Sequence, residues 1–394
     1  MGIGEVKQTP TRRWALKSLI FFYYATIGVI LPFLPLYLYG QGLDTSRIGF
    51  LLAIGPLVSL VVQFPWGIIS DRMQTVKKII IFQLAASAGL VTLIFQADTF
   101  SLLALTMVFF YTFCWPVLPL LDSLTLNTVR ESGGSFGNFR LWGSVGFALT
   151  ALVSGSVLAV VGVDKMLYIY LGLVGVCIGL ALLTRDTQPL GRPVTMQKAR
   201  ELLVRREVLL FLVIITFLST TNKANDAFLG LFIGQLGGNE AYVGWAWTIA
   251  PLSEVPVFAL GAFLLSRYNE LTLLAVASAA FALRWMLFVL VPGPEYLLAV
   301  QLLHSITFGL FFMSAVAYMS KLAPPELRAS GQGLLSAFIG GVGGIMGSLL
   351  GGLVMAALGP RPMYAMCAVV CVGTALAFAG RLQQVRREKA GVAV

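Results

Sequence analysis

Six ionisable side chains lie inside long apolar stretches of this sequence, and their types and positions make them the first candidates for chemistry. They are three acids, two bases and the single histidine: Asp122, Lys223, Asp226, Glu254, Arg284 and His304. An ionisable group in the middle of a membrane helix costs roughly 2.5–3.5 kcal/mol, so it is kept mainly where it pairs or serves a solute or proton pathway. The near balance of acids and bases predicts internal pairing, in which one proton can change the net charge.

Glu254 and His304 have the chemistry best suited to carrying protons. Glu254 lies two residues before Pro256, whose missing N–H leaves a carbonyl without its helical partner and permits a kink. A carboxyl group in a low-dielectric cavity can alternate between protonated and ionised forms, so Glu254 is the first candidate, followed by Asp226 and Asp122. His304 could relay protons or bind solute; alternatively, it is a neutral histidine bonded to a neighbouring helix.

Lys223 and Asp226 are three residues apart, which places them on one face of a helix and predicts an ion pair. The pair is either purely structural or part of a binding site for solute or protons.

The elements that must hold these residues are membrane-spanning helices. The chain is 58% hydrophobic and only 11% charged, whereas soluble domains carry about 25% charged residues. Spanning a bilayer takes roughly 20 apolar residues, and twelve such runs occur. They cover residues 15–39, 46–70, 77–97, 100–127, 138–162, 165–184, 208–236, 241–266, 271–292, 295–321, 329–358 and 361–381. The first run is too long for a cleavable signal peptide and is expected to remain as a helix.

The longest polar stretch, residues 185–207, divides the spans into two groups of six. It predicts a cytoplasmic linker between an N-terminal bundle, 1–184, and a C-terminal bundle with a short tail, 208–394. With both termini inside, 22 of the 27 Lys and Arg fall on the cytoplasmic side, three outside and two within helices. This asymmetry is typical of the positive-inside rule, so we expect a multi-pass protein with both termini cytoplasmic.

Composition and motifs argue against several other classes of function. The net charge of +10 is better explained by membrane orientation than by nucleic-acid binding. The four cysteines lie in apolar runs without metal-site spacing, and we expect them to pack. HExxH, a nucleophile triad and a phosphate-binding loop are all missing, so neither an enzyme nor a cofactor nor ATP-driven transport is expected. A sensor or scaffold would carry an appended soluble domain, and none is apparent.

The stretch that follows the second span has the pattern of the major facilitator superfamily signature. Gly67 is followed four residues later by Asp71 and Arg72, and then by the basic pair Lys77 and Lys78. Gly67 would let a neighbouring helix approach, and Asp71 would cap a helix or pair with a base, so the motif would act in conformational change. The alternative is an ordinary charged loop.

Four further stretches resemble the lactose permease and phenylpropionate permease, or MFS_1-like, branch of that superfamily. They are Leu120–Asp122, Gly137–Phe147, Ser253–Pro256 and Gln301–Gly309. The resemblance spans nearly the whole chain. It implies an all-α membrane fold of twelve helices in two pseudo-symmetric six-helix bundles, which work by alternating access.

In the N-terminal half, the resemblance implies a solute site. Asp122 and Arg140, 18 positions apart, match the family's acid and arginine that grip substrate hydroxyls; the alternative is an interface ion pair that orders a loop. Phe147 stands where the family has a sugar-stacking tryptophan, so a ring is kept and the indole donor is lost.

In the C-terminal half, Arg284 and His304 keep the family's spacing of 20 residues. The family's lysine and proton-carrying glutamate are replaced here by Gln301 and Thr307, so another carboxylate must carry any proton. The candidate solute-binding residues are therefore Asp122, Arg140, Phe147, Lys223, Asp226, Arg284 and His304. The candidate proton-coupling residues are Glu254, Asp226, Asp122 and His304.

The sequence therefore predicts a secondary transporter of a small organic solute, such as a sugar, a nucleoside or an aromatic acid, that works as a proton symporter. The alternative is a proton-driven exporter of hydrophobic or drug-like solutes. The expected partners are the solute, protons and the lipid bilayer of a bacterial inner membrane, and a monomer is expected to suffice.

Overall fold

A computed structural model describes residues 10–132, 135–186 and 196–391, and these ranges are almost entirely helical with no β-strand. Eleven helices in them are long and apolar enough to cross a membrane, and one bent helix pair makes a twelfth span when it is counted as one. The predicted all-helical membrane fold with twelve spans is thus confirmed.

The twelve spans are numbered in chain order. The first six are α1 (Pro10–Gly40), α2 (Thr45–Met73), α3 (Lys77–Ile94), α4 (Phe100–Cys114 and Val117–Ser132), α5 (Phe136–Val161) and α6 (Met166–Leu183). The last six are α7 (Arg206–Gln235), α8 (Glu240–Ala259 and Gly261–Arg267), α9 (Glu270–Leu290), α10 (Pro294–Gln301, Ser305–Gly309 and Leu310–Leu322), α11 (Arg328–Ser336, Ala337–Val342 and Gly343–Leu358) and α12 (Pro360–Gly391). A short helix, Met196–Leu203, precedes α7 in the predicted linker.

Three of the last six spans are irregular. The two parts of α8 meet at an angle of 55°, and the bend falls at Leu260, one turn after the proline at which the sequence predicts a kink. The middle parts of α10 and α11, Ser305–Gly309 and Ala337–Val342, are π-helical turns. Such turns widen the helix locally and are frequent at functional sites.

Contacts divide the chain into two compact units, residues 1–37 with 57–192 and residues 38–56 with 193–394. In this structure, residues 38–56 thus group with the second unit, whereas the predicted N-terminal bundle is continuous over 1–184. The predicted linker lies outside the described residues over 187–195, as does the end of the predicted tail over 392–394.

In the first unit, α1 and α5 pack backbone to backbone through glycines. A Cβ atom at Gly146 would lie 2.2 Å from the carbonyl oxygen of Phe21, and one at Gly28 would lie 2.7 Å from that of Phe147. Only a residue without a side chain allows this approach. The contact fixes the position of α5 along the axis of α1.

Also in the first unit, Asp186, just after α6, caps the start of α3, and Lys77 of α3 caps the end of α6. The Asp186 carboxylate accepts hydrogen bonds from the backbone N–H groups of Val76 (3.1 Å) and Lys77 (3.0 Å), at the N-terminus of α3. The Lys77 ammonium donates to the carbonyls of Leu182 (2.6 Å) and Thr184 (2.8 Å), at the C-terminus of α6. An acid at a helix N-terminus and a base at a C-terminus each satisfy backbone groups that the helix leaves unpaired.

In the second unit, the glycines of α11 allow close packing. A Cβ atom at Gly347 would lie 2.7 Å from the Thr220 carbonyl oxygen of α7. On another face of α11, a Cβ atom at Gly352 would lie 2.5 Å from the Thr45 carbonyl oxygen of α2. Thr45 also donates its hydroxyl to the Gly352 carbonyl at 3.3 Å.

The stretch with the superfamily pattern differs from its prediction in three respects. Gly67, Asp71 and Arg72 lie within α2, which continues to Met73, rather than in a loop. A Cβ atom at Gly67 would meet no heavy atom within 4 Å, so the expected close approach of a helix is not present in this structure. Asp186, rather than Asp71, caps the N-terminus of α3.

Candidate functional site

A fully buried arginine organises the polar residues of the second unit. Arg284 lies on α9 with 0% exposure. Its Nη1 donates to His304 Nδ1 at 2.8 Å and to Thr307 Oγ1 at 3.2 Å, and its Nη2 donates to Gln301 Oε1. All three acceptors come from one face of α10, at intervals of three residues. The described residues offer Arg284 no carboxylate within ion-pair distance, and its Nε has no hydrogen-bond partner.

His304 connects this arginine to a carboxylate. His304 Nε2 lies 2.8 Å from Glu254 Oε1, and both side chains are nearly buried, with exposures of 12% and 14%. Arginine can only donate hydrogen bonds, so His304 Nδ1 must be an acceptor without a proton. A neutral imidazole then carries its one proton on Nε2, and this N–H donates a hydrogen bond to the Glu254 carboxylate. The geometry therefore gives a directed chain from Arg284 through His304 to Glu254.

Aromatic rings cover this chain and keep its surroundings apolar. The Arg284 guanidinium lies 4.8 Å from the Trp285 ring centroid and 5.6 Å from that of Phe288. Phe308 stacks on the His304 ring at 5.3 Å, nearly parallel to it. In a low-dielectric environment, both hydrogen bonds and uncompensated charge carry larger energies than in water.

Lys223 and Asp226 form the predicted ion pair on α7. Lys223 Nζ lies 2.9 Å from Asp226 Oδ2, and the side chains are 31% and 16% exposed. Asn222 also donates to the Asp226 carboxylate at 3.4 Å. The pair is intrahelical and neutral as a whole.

In the first unit, Arg140 and Asp122 lie on α5 and α4. The Arg140 guanidinium stacks on the ring of Tyr24, 4.2 Å from its centroid, and Nη1 donates to Ser144 Oγ at 3.5 Å, a long hydrogen bond. Among the described residues, no carboxylate lies within 4.0 Å of Arg140, so Asp122 and Arg140 interact electrostatically over a longer distance in this structure. Phe147, half-buried, lies two turns after Arg140 on α5.

The structure adds three residues to those predicted. Gln301 and Thr307, the two positions that depart from the lactose permease pattern, are ligands of Arg284. Their spacing from His304, three residues on either side, is the signal that could have identified them. Tyr24, the platform for Arg140, follows from no local pattern, because the contact joins α1 to α5.

Among the described residues, no group of three or more His, Cys, Asp or Glu side chains could hold a metal ion.

The comparisons with known proteins agree with this fold. The profile of the MFS_1 like family matches residues 13–366. The maltose permease of Geobacillus stearothermophilus is 29% identical over 396 residues, which cover 99% of this chain and 100% of that protein. The probable 3-phenylpropionic acid transporter of Escherichia coli K12 is 26% identical over 318 residues, covering 78% of this chain and 82% of that protein.

A crystal structure of the nucleoside transporter NupG superimposes with a TM-score of 0.85 at 20% identity, covering 93% of this chain and 98% of that one. Since the family profile covers most of the sequence, the chain belongs to the MFS_1-like family of the major facilitator superfamily, a family of membrane transporters and not of enzymes.

Proposed function

We propose that this transporter is a proton-coupled importer of a hydroxyl-rich, sugar-like solute. Secondary transport of a small solute follows from the family and its relatives; the coupling ion, the direction and the solute are our proposal. The observation that carries it is the buried chain Arg284–His304–Glu254, which offers one defined place for a proton.

The coupling argument follows from which atoms are already occupied. A second proton on His304 would sit on Nδ1 and point at the Arg284 N–H 2.8 Å away, so it would break that hydrogen bond. A proton on Glu254 breaks neither contact, because the carboxyl group has a second oxygen. Glu254 is therefore the proposed proton carrier, and His304 holds it in line.

Protonation of Glu254 changes the charge of the site. With Glu254 ionised, its negative charge balances that of Arg284 through the histidine. With Glu254 neutral, Arg284 keeps a positive charge in an apolar environment without a counter-ion, which is costly. Binding of the polar solute or a change of conformation would relieve that cost, and this links the proton to transport. Asp226 is less suited to this role, because Lys223 already neutralises it.

The solute assignment rests on the first unit. Asp122 can accept hydrogen bonds from hydroxyls and Arg140 can donate to their oxygens, while Phe147 offers a ring for stacking. Two relatives are named for maltose and for nucleosides, which both carry several hydroxyls; a third is named for 3-phenylpropionic acid. The relative that aligns over the full chain favours a sugar as the first candidate.

The membrane arrangement follows the charge distribution. The excess of Lys and Arg on one side supports a plasma membrane location with both termini cytoplasmic, and the polar segment around 185–207 as the cytoplasmic connection between two six-helix bundles. Each chain contains both candidate regions, so we propose that a monomer is functional.

The test uses purified protein in liposomes with an imposed pH gradient. Uptake of radiolabelled maltose, uridine and 3-phenylpropionate is measured with the gradient and, separately, as exchange between equal concentrations without it. We expect maltose to accumulate with the gradient and to exchange without it. Glu254→Gln mimics the protonated carboxyl group. Its exchange rate should stay within about threefold of the wild-type rate, whereas its gradient-driven accumulation should fall at least tenfold.

The matched control is Glu295→Gln, an exposed glutamate in the same half of the chain, which should behave as the wild type. Accumulation by Glu254→Gln at the wild-type level would contradict the proposed coupling. Accumulation of 3-phenylpropionate without maltose would overturn the solute class, and solute expulsion under an inward-directed proton gradient would favour the exporter.

A further inference from the structure

We infer that the interruption in α4 is a built hinge, and that Trp66 and Tyr23 are positioning residues that hold it and thereby orient Asp122. This inference rests on the proposed function in one respect, the role of Asp122 in solute binding. Its structural part stands on hydrogen bonds within the first unit.

The interruption has a covalent cause. In a regular helix, the carbonyl of Thr112 would accept a hydrogen bond from the backbone nitrogen of residue 116, but Pro116 has no N–H. The helix stops at Cys114 and resumes at Val117. The N–H of Leu118 bonds to the Trp115 carbonyl at 3.3 Å, so the Cys114 carbonyl also loses its helical partner.

Two aromatic side chains from other helices supply the missing donors. The Trp66 indole of α2 donates Nε1–H to the Thr112 carbonyl at 2.9 Å. The Tyr23 hydroxyl of α1 donates to the Cys114 carbonyl at 3.0 Å. In a membrane, an unpaired backbone carbonyl is strongly unfavourable, so these two bonds stabilise the break in α4 at this position.

The geometry around these donors fixes them in turn. Tyr23 is 1% exposed. The Trp66 ring packs against those of Phe82 and Phe113, with centroids 6.2 Å and 5.6 Å away. Neither donor can leave its carbonyl without disturbing packed neighbours.

The position of the hinge gives it a functional consequence. Asp122 lies on the second part of α4, six residues after Pro116, so a change at the break changes the place of its carboxylate. Tyr24, the neighbour of Tyr23 on α1, stacks on Arg140. One turn of α1 therefore contacts both the helix that carries Asp122 and the arginine proposed to act with it. A displacement of about 1 Å is enough to weaken a positioned contact severely.

The test is a double-mutant cycle of Trp66→Phe and Pro116→Ala. Alanine at 116 restores the N–H, so the Thr112 carbonyl regains a partner in its own helix and no longer needs Trp66. In the wild-type background, Trp66→Phe should lower the thermal unfolding temperature and raise the KM for maltose counterflow about five- to tenfold, with the maximal rate within about twofold. In the Pro116→Ala background, the same substitution should change KM by less than about twofold.

The control variants show whether the effects are specific to the hinge or follow from any loss of an aromatic side chain. Trp245→Phe removes a half-exposed indole of α8 and should leave both readouts unchanged. If Trp66→Phe or Pro116→Ala unfolds too readily to assay, Tyr23→Phe is tested instead, and it should raise KM to the same extent. Its control is Tyr168→Phe, at an exposed tyrosine. If maltose is not carried, uridine or 3-phenylpropionate takes its place as the probe.

Equal effects of Trp66→Phe in both backgrounds, or an unchanged KM in the wild-type background, would overturn the inference. Asp122→Asn distinguishes the two proposals. If it raises KM while Trp66→Phe does not, only the hinge fails. If Asp122→Asn leaves KM at the wild-type value, the proposed solute site fails, and the positioning role of Trp66 and Tyr23 fails with it.

Discussion

Each candidate region contains an arginine on a helix, and the two guanidinium groups lie in different environments. Arg284 is fully buried, and three side chains of α10 accept its hydrogen bonds. Arg140 lies against one tyrosine ring and makes one long hydrogen bond to Ser144. Arg284 therefore already has most of its hydrogen-bond acceptors within the protein, whereas Arg140 keeps N–H groups that can donate to other acceptors. We infer that Arg140 serves the solute, whereas Arg284 sets the electrostatics of the proton site.

The two regions also differ in how they are held. Hydrogen bonds between side chains define the geometry around Arg284, whereas contact between glycine backbones defines the height of α5 and hence of Arg140. Polar networks fail when one member is removed, and packed backbones fail when volume is added. The following predictions use this difference.

The largest effect is expected at Arg284. Arg284→Ala leaves Gln301, His304 and Thr307 without their shared donor and leaves Glu254 without a compensating positive charge. We expect the free energy of unfolding in detergent to fall by about 3–5 kcal/mol and gradient-driven uptake to be lost. Arg267→Ala, at an exposed position of α8, is the control and should cost less than about 0.5 kcal/mol. A similar small cost for both variants would show that the buried network is not stabilising.

An intermediate effect is expected at the contact between α1 and α5. Gly146→Ala places a methyl group 2.2 Å from the Phe21 carbonyl oxygen, so the helices must separate, at a cost of about 1–3 kcal/mol. Gly172→Ala on α6 meets no heavy atom within 4 Å and should be neutral or stabilising by up to about 1 kcal/mol. Denaturant titration of both variants checks this, and equal stabilities would contradict the role of the glycine contact.

The smallest effect is expected at Tyr24. Tyr24→Leu removes the ring under Arg140, and a cation–π contact is worth about 0.5–2 kcal/mol, so KM for the solute should rise about three- to tenfold. Tyr24→Phe keeps the ring and should stay closer to the wild type. The reverse order of the two variants would mean that the hydroxyl, rather than the ring, holds Arg140.

The sequence predicts this fold well because the bilayer imposes a length and a polarity on every span. The twelve apolar runs and the Lys223–Asp226 pair depend only on local spacing, and the structure contains them. The family resemblance marked Arg284 and His304 as site residues, but their contact with each other comes from the structure, since no local rule joins residues 20 positions apart. The π-helical turn after His304 could not be predicted, because such a turn depends on packing against other helices and not on local spacing.

The close approach expected at Gly67 is absent from this structure for a related reason. A glycine shows only that a helix could come near, and which helix does so depends on tertiary packing. In α5, Gly146 is pressed against α1, whereas Gly67 faces open space. Equally, Gln301 looked like the loss of a family lysine, yet its amide oxygen binds Arg284 and its Nε2 donates to the Ala246 carbonyl at 3.2 Å.

The reciprocal caps between α3 and α6 have a mechanical consequence. Asp186 is the last described residue before the segment that leads to α7, and its carboxylate is bonded to the start of α3 while Lys77 holds the end of α6. A pull on the chain beyond Asp186 therefore acts on two helices together, because neither end can unwind without breaking bonds to the other. These reciprocal hydrogen bonds therefore join the start of α3 to the end of α6 at the point where the connecting segment begins.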